Sequence, residues 1–220
     1  MNPSTLTEIT RLKMKTLAVI SHKGGTGKST LAIHLAVQAQ SEGRDTLLVD
    51  LDNQSSTVAG WASIRTDKHP LAVTAQVSDI TELQLQAIDE GFDLLILDCP
   101  PYLNDDTDLI TKLADFTILP TTPRFADICT LPREIDKIHQ PFSVVLNSCT
   151  PDSVGQTSFK TAQVYQMLND ADIPVSPVHI TRLEAFTEAL NYGQGVAEFQ
   201  SNGKVSKQIK EQLDWLYTTA

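Results

Sequence analysis

Five short runs of apolar and β-branched residues recur along the chain, at 16–20, 46–49, 94–97, 116–119 and 143–146, with weaker runs at 71–75 and 175–180. Runs of this length, apolar at nearly every position, are the pattern of strands buried on both faces. Between them the period changes. Leu31, Leu35 and Ala39 return every four residues, and Ile128, Leu131, Ile135 and Ile138 return at helical spacing, which predicts one helix there. Near the end, Val205, Ile209, Leu213 and Leu216 mark the buried face of a helix that carries Lys204, Lys207 and Lys210 three residues apart. Strand and helix in alternation predict an α/β fold: a mostly parallel, twisted sheet of about seven strands with helices on both faces and ligands at the carboxyl ends of the strands. A chain of 220 residues can bury one sizeable core, and no linker or repeat divides it. It reads as a short extension, 1–15, expected to be partly disordered, followed by a single domain, 16–220.

Charge and cysteine usage narrow the function classes. A net charge of −10 argues against a broad basic surface for nucleic acid and confines any such contact to a local patch. Cys99, Cys129 and Cys149 have neither metal-ligand spacing nor an even count, so a reduced, cytoplasmic setting without disulfides or metal clusters is expected. No apolar run reaches the roughly 18–20 residues of a membrane span, and residues 1–15 lack the apolar centre of a signal peptide, so a soluble protein is expected.

The first strong run leads into SHKGGTGKST, residues 21–30. A phosphate-binding loop of the form G-x-x-x-x-G-K-[ST] would place glycine at 22; here His22 stands there, followed by a second lysine, Lys23. The context is strand, loop, helix. Gly24, Gly25 and Gly27 let the backbone of the loop, Thr26 included, approach a polyphosphate. Lys28 can reach the β and γ oxygens, while the Ser29 hydroxyl, followed by Thr30, holds Mg2+. The plainer alternative is a glycine-rich turn with a surface lysine. Asp50 and Asp52 follow the second strong run and Asp98 the third, at the ends that face the crevice. An aspartate after four apolar strand residues is the usual outer-shell holder of Mg2+, which makes Asp98 the Walker B candidate; capping of the next loop is the plainer alternative for Asp98 and Asp50. The pattern predicts a single-domain P-loop NTPase.

KGGTGKS, DLDNQ and LDCPP together resemble the ParA group of deviant Walker ATPases, the family that includes MinD and the nitrogenase iron protein. LPTTPRFADICTLPREID and HITRLEAFTEALNYGQGVAE resemble further segments of that family, so the likeness runs from about residue 15 to the end. The resemblance implies slow ATP hydrolysis by an ATP-bound sandwich homodimer, in which Lys23 is the signature lysine that crosses to the nucleotide of the opposite subunit. It implies that Asp52 orients the attacking water, that Asp50 supports the magnesium shell, and that Pro100 and Pro101 begin the second switch. Asn53 departs from the family's usual proline and would loosen the first switch. His22 also departs, with no role assigned. Adenine as the base follows from the resemblance alone, with Asn147 as a base-contact candidate.

The resemblance further implies nonspecific binding to nucleoid DNA through basic side chains, here Arg182, Lys204, Lys207 and Lys210, and a ParB-like or other cargo-bound partner that stimulates hydrolysis. A solvated helix face is the plainer reading of the three lysines. The absence of a helix-turn-helix region ahead of the first strand is similar to the short partition ATPases. Two other readings stay open. A MinD-like helix would anchor the chain to a membrane, although QLDWLYTTA has no basic cluster beyond Tyr217. A metabolic enzyme on the same fold would need a substrate pocket or paired cluster cysteines, which Cys99 alone does not supply.

Overall fold

The computed structural model describes residues 14–52, 54–101, 105–139, 141–154 and 157–219. Among these, six strands form one parallel sheet: β1 (Lys15–Val19), β2 (Thr46–Asp50), β3 (Leu71–Thr74), β4 (Leu94–Asp98), β5 (Phe116–Thr121) and β6 (Phe142–Leu146). Their spatial order is β3-β2-β4-β1-β5-β6. The strands read as continuous apolar runs because successive side chains enter different cores. Leu17 and Val19 of β1 join the cluster on one face, Ala18 and Ile20 the cluster on the other; Leu94 and Ile96 of β4 alternate with Leu95 and Leu97 in the same way.

Helices cover both faces. On the first lie α1 (Lys28–Ser41), α2 (Thr57–Ile64), α8 (Glu184–Asn191), α9 (Val196–Phe199) and α10 (Lys204–Thr219). On the second lie α3 (Ile80–Glu90), α4 (Asp105–Leu113), α6 (Leu131–Ile135) and α7 (Phe159–Asp170), with α5 (Phe125–Ile128) just ahead of α6. α1 sits beneath β1, β2 and β4 and is itself covered by α10 and α9. It is therefore buried nearly all round, from Leu31 to Ala39. His34, fully buried in it, donates from Nε2 to the carbonyl of Phe186 at 2.7 Å and accepts at Nδ1 from Val196 N–H at 3.1 Å, which pins α8 and α9 to α1. The last helix uses its apolar residues in the same way: Leu216 is buried and Trp215 meets Phe116 edge-on.

The structure differs from the sequence expectations at three places. The run at 175–180 forms no seventh strand among the described residues. It lies along β6, where Val144 N–H donates to Pro174 O at 2.8 Å and Ser176 N–H returns to Val144 O at 2.8 Å, but Pro177 has no N–H and Val178 N–H turns to the Ser176 hydroxyl, so the ladder lapses. The single helix expected over 128–138 is two short ones, α5 and α6, because Pro132 near the start of α6 cannot donate back to Ile128. The expected extension ends earlier: Met14 is buried and Lys15 opens β1, while residues 1–13, like Asn53, lie outside the described residues.

Winding reverses at β1. The chain runs from β1 to β2 on one side and from β4 across to β5 and β6 on the other, so the carboxyl end of β1 is the switch point where a parallel sheet opens a crevice.

Candidate nucleotide site

The loop that follows β1 turns into α1 at that switch point. Gly25 and Gly27 have φ of 81° and 89°, a region that side chains with a Cβ rarely enter. Gly27 has a second reason to be glycine: a Cβ there would lie 2.4 Å from Asn147 Nδ2. That amide group donates to Thr26 O at 2.7 Å, and Asn147's own N–H donates to Thr121 O at 2.7 Å. The end of β6 thus braces the loop from across β5. α1 opens on Lys28, Ser29 and Thr30 with no acidic residue in its own first turn, so its N-terminal N–H groups and dipole face the cavity.

Three carboxylates meet this helix end. Asp50 and Asp98 close β2 and β4 as direct neighbours in register, and Asp98 is also in register with Val19 of β1. Both are buried, and both carboxylate oxygens of Asp98 lack a hydrogen-bond partner. Burial pushes the Asp98 carboxyl up to about 7; the nearby Ser29 hydroxyl and Lys28 oppose the rise, and Asp50 and Asp52 add to it. Burial likewise holds the Lys28 ammonium below its ordinary value, against the pull of Asp98 and Asp52. Asp50 is raised by burial while accepting from Asp52 N–H at 3.0 Å and Ala59 N–H at 3.3 Å. Asp52 accepts from Gln54 N–H at 3.1 Å, Ser55 N–H at 3.3 Å and the Ser55 hydroxyl at 2.8 Å, an aspartate turn leading into α2. A buried carboxylate whose nearest donor is the Ser29 hydroxyl, beside a second carboxylate at a helix head, is an all-oxygen set that suits a hard divalent cation.

Two cavities flank the loop. One, of about 240 Å3, is lined by Gly24, Lys28, Ser29, Asp52, Ser55 and Pro101; the other, of about 350 Å3, by Thr122, Arg124, Asn147, Arg182 and Phe186. Gly25, Gly27 and Thr30 belong to both. The sequence-predicted residues of the loop, with Asp50, Asp52 and Asp98, are thus brought together, and Asn147 stands in the wall with its carboxamide engaged by the loop.

Lys23 faces elsewhere. Its ammonium is ion-paired to Asp127 in the turn of α5, and Asp127 also accepts from the Thr122 hydroxyl. One residue earlier, His22 N–H donates to the buried Glu134 of α6 at 3.0 Å, whose other oxygen accepts from Thr130 at 3.0 Å. Asp127 and Glu134 are the residues that sequence reasoning missed as loop partners. They follow β5, the strand beside β1, and that adjacency is the signal that would have found them.

The four basic residues do not form one patch around a single feature. Lys204, Lys207 and Lys210 lie exposed on α10, opposite Val205 and Ile209, and Lys210 is paired with Glu42 at 3.0 Å and Asp214 at 3.2 Å. Arg182 instead lines the larger cavity, and the preceding Thr181 exchanges two hydrogen bonds with Gln208 of α10. No helix among the described residues is long and apolar enough to cross a membrane.

Comparison with known proteins places this site in context. The CbiA family, the CobQ/CobB/MinD/ParA nucleotide binding domain, matches residues 17–212. The chain is 26% identical over 212 residues to the maintenance of carboxysome distribution protein A of Gloeobacter kilaueensis, covering 91% of this chain and 94% of the relative. It is 28% identical over 144 residues to the chromosome-partitioning ATPase Soj of Thermus thermophilus, covering 52% of this chain and 57% of that one. Among solved structures, the ATP complex of a McdA variant from Cyanothece superposes with a TM-score of 0.73 at 17% identity, covering 93% of this chain and 96% of that chain. The cell division ATPase MinD of Pyrococcus furiosus gives 0.68 at 17% identity, covering 94% and 100%.

Proposed function

Because this chain belongs to the CobQ/CobB/MinD/ParA family of nucleotide-binding domains, we propose that it is a ParA-type ATPase that positions a cargo in the cell. The observation that carries the reading is the buried Asp98 carboxylate facing Ser29 and Lys28 at the head of α1, beneath a loop with a second lysine, Lys23. Mg2+, when bound, would be held by Ser29, Asp98 and Asp50 and would supply polarisation of the phosphoryl oxygens. Lys28 and the N–H groups at the head of α1 neutralise the ATP phosphates, and the larger cavity beside Asn147 receives the nucleoside. Asp52 shares the smaller cavity with Lys28, and in this reading its carboxylate orients the attacking water.

In this reading Lys23 acts on the partner's nucleotide, so charge neutralisation is complete only when two subunits meet and ATP becomes a dimerisation switch. The dimer associates with nucleoid DNA through Arg182, Lys204, Lys207 and Lys210, and a cargo-bound, ParB-like partner accelerates hydrolysis. Relatives named for carboxysome distribution and for chromosome partitioning support a positioning role.

The test is direct. Purified protein with Mg-ATP should run as a dimer by light scattering, turn over ATP slowly, and bind duplex DNA in a manner that depends on ATP and weakens with salt. A chain that stays monomeric and ignores DNA at low salt with ATP present would sink the reading.

A further inference from the structure

Beyond the larger cavity lies a smaller one, of about 100 Å3, walled by Arg124 ahead of α5, Lys160 in the first turn of α7, and Arg182, with the hydroxyl-bearing Ser148, Thr150 and Ser158 between them. Arg124, Ser148 and Arg182 line both cavities, so the two share a wall. Among the described residues none of the three cations is in an ion pair. The carboxylate whose field Arg124 feels, Asp127, is already held by Lys23 and Thr122. In a chain of net charge −10, three cations that line one hollow and are unpaired among the described residues repel one another, and an anion between them removes that cost. The 12-residue helix α7 adds to this: Ser158 caps it by accepting from Thr161 N–H, and its first turn carries no acidic residue.

We propose that Arg124, Lys160 and Arg182 form a second phosphate-binding site, which takes a phosphate group from a molecule other than the nucleotide on the P-loop. Two arginines and a lysine suit a phosphate, since each arginine offers a planar fork of donors and the lysine a compact point charge. The hydroxyls of Ser148, Thr150 and Ser158 complete a polar lining. The shared wall makes the two sites reciprocal, because any change that nucleotide imposes on Arg124 or Arg182 alters the second site, and the second ligand acts back on the first. The second site rests on the nucleotide reading only in that the P-loop must be filled independently. The phosphate comes either from a nucleic-acid backbone or from a small phosphate compound.

The experiment begins by saturating the protein with AMPPNP and Mg2+; failure at that step counts against the nucleotide reading and is seen before the second site is probed. Pyrophosphate is then titrated by calorimetry and a short labelled duplex by fluorescence anisotropy, at several salt concentrations. Lys160→Glu is the informative variant, because Lys160 is exposed and lines only the smaller cavity. Its affinity for the bound probe should fall by at least about tenfold, with the duplex salt slope reduced by roughly 0.9 for each phosphate no longer neutralised. Loss confined to the duplex assigns a nucleic-acid backbone, and loss confined to pyrophosphate assigns a small phosphate ligand. A Lys160→Glu protein that melts like wild type and binds both probes with wild-type affinity overturns the site, as does wild type that binds neither.

Discussion

Lys23 and Asp127 stand 104 residues apart in the chain and are ion-paired within one subunit. Burial pushes the Asp127 carboxyl up, but the Lys23 ammonium and the Thr122 hydroxyl together bring it below its ordinary value, so Asp127 is a carboxylate at neutral pH. A lysine held this way is not extended toward a second subunit. If Lys23 serves a second subunit as proposed, its release from Asp127 would be a step toward that dimer, and replacing Asp127 should favour it.

Asp127→Asn is expected to raise the dimer fraction at limiting ATP and the basal turnover by roughly several-fold, because the inward-held state loses its counter-charge while the substituted amide still accepts from Thr122. Light scattering against ATP concentration checks it; unchanged dimerisation would make the ion pair a bystander.

Lys23→Ala and Asp52→Ala should fail at different points. The first keeps Lys28 and the loop N–H groups, so it binds ATP but stays monomeric and hydrolyses at least about 100-fold more slowly. The second keeps both lysines and should accumulate as a long-lived ATP dimer, although it loses the turn that Asp52 holds with Gln54 and Ser55. If both variants run as monomers with ATP, Asp52 serves the first switch structurally.

Lys28→Ala should remove ATP binding measured by calorimetry, a loss of about 100-fold or more, since no other described side chain brings a cation to the head of α1 within that cavity. Retained affinity would move the phosphate site elsewhere.

Asn147→Ala distinguishes bracing from base recognition. If the amide chiefly steadies Thr26, affinity for ATP and for GTP should fall together by roughly tenfold or less, about 1 kcal/mol for a lost hydrogen bond. If it reads the base, the ATP-to-GTP ratio should change instead. Competition calorimetry decides between them.

His34 gives a pH dependence. Its folded pKa is lowered from 6.5 to about 4, first by burial, so between those values the unfolded chain binds the proton that the folded chain refuses. Stability is therefore full above 6.5 and declines as pH falls toward 4, by about 2 kcal/mol between pH 7 and pH 5 from this group. Urea unfolding of His34→Gln should show that increment missing, alongside a lower stability at pH 7 from the altered bonds to Phe186 and Val196. An identical pH profile in the variant would refute the assignment.

Much of this was legible in the sequence because it is local. The strands announce themselves through residues such as Leu95 and Ile96, which are buried on opposite faces, and the loop through glycines whose backbone angles the turn requires. The helix over 128–138 misled because Ile128 and Leu131 both pack toward the same core although Pro132, just after Leu131, cannot donate back to Ile128, so side-chain period outlived the hydrogen bonding. Glu134 and Asp127 were illegible as partners of His22 and Lys23, since no spacing in the chain encodes a pairing made by strand order. The cluster of Arg124, Lys160 and Arg182 was hidden for the same reason.

The brace from Asn147 to Thr26 spans 121 positions of sequence. During synthesis the phosphate loop leaves the ribosome early, whereas β6 follows only when roughly two-thirds of the chain has been made, and domains fold as units rather than residue by residue. A nascent chain stalled before β6 would carry every letter of the loop and still lack the strut that holds it open for ligand, so newly made protein would begin to bind nucleotide abruptly, late in translation, rather than as soon as the motif emerges.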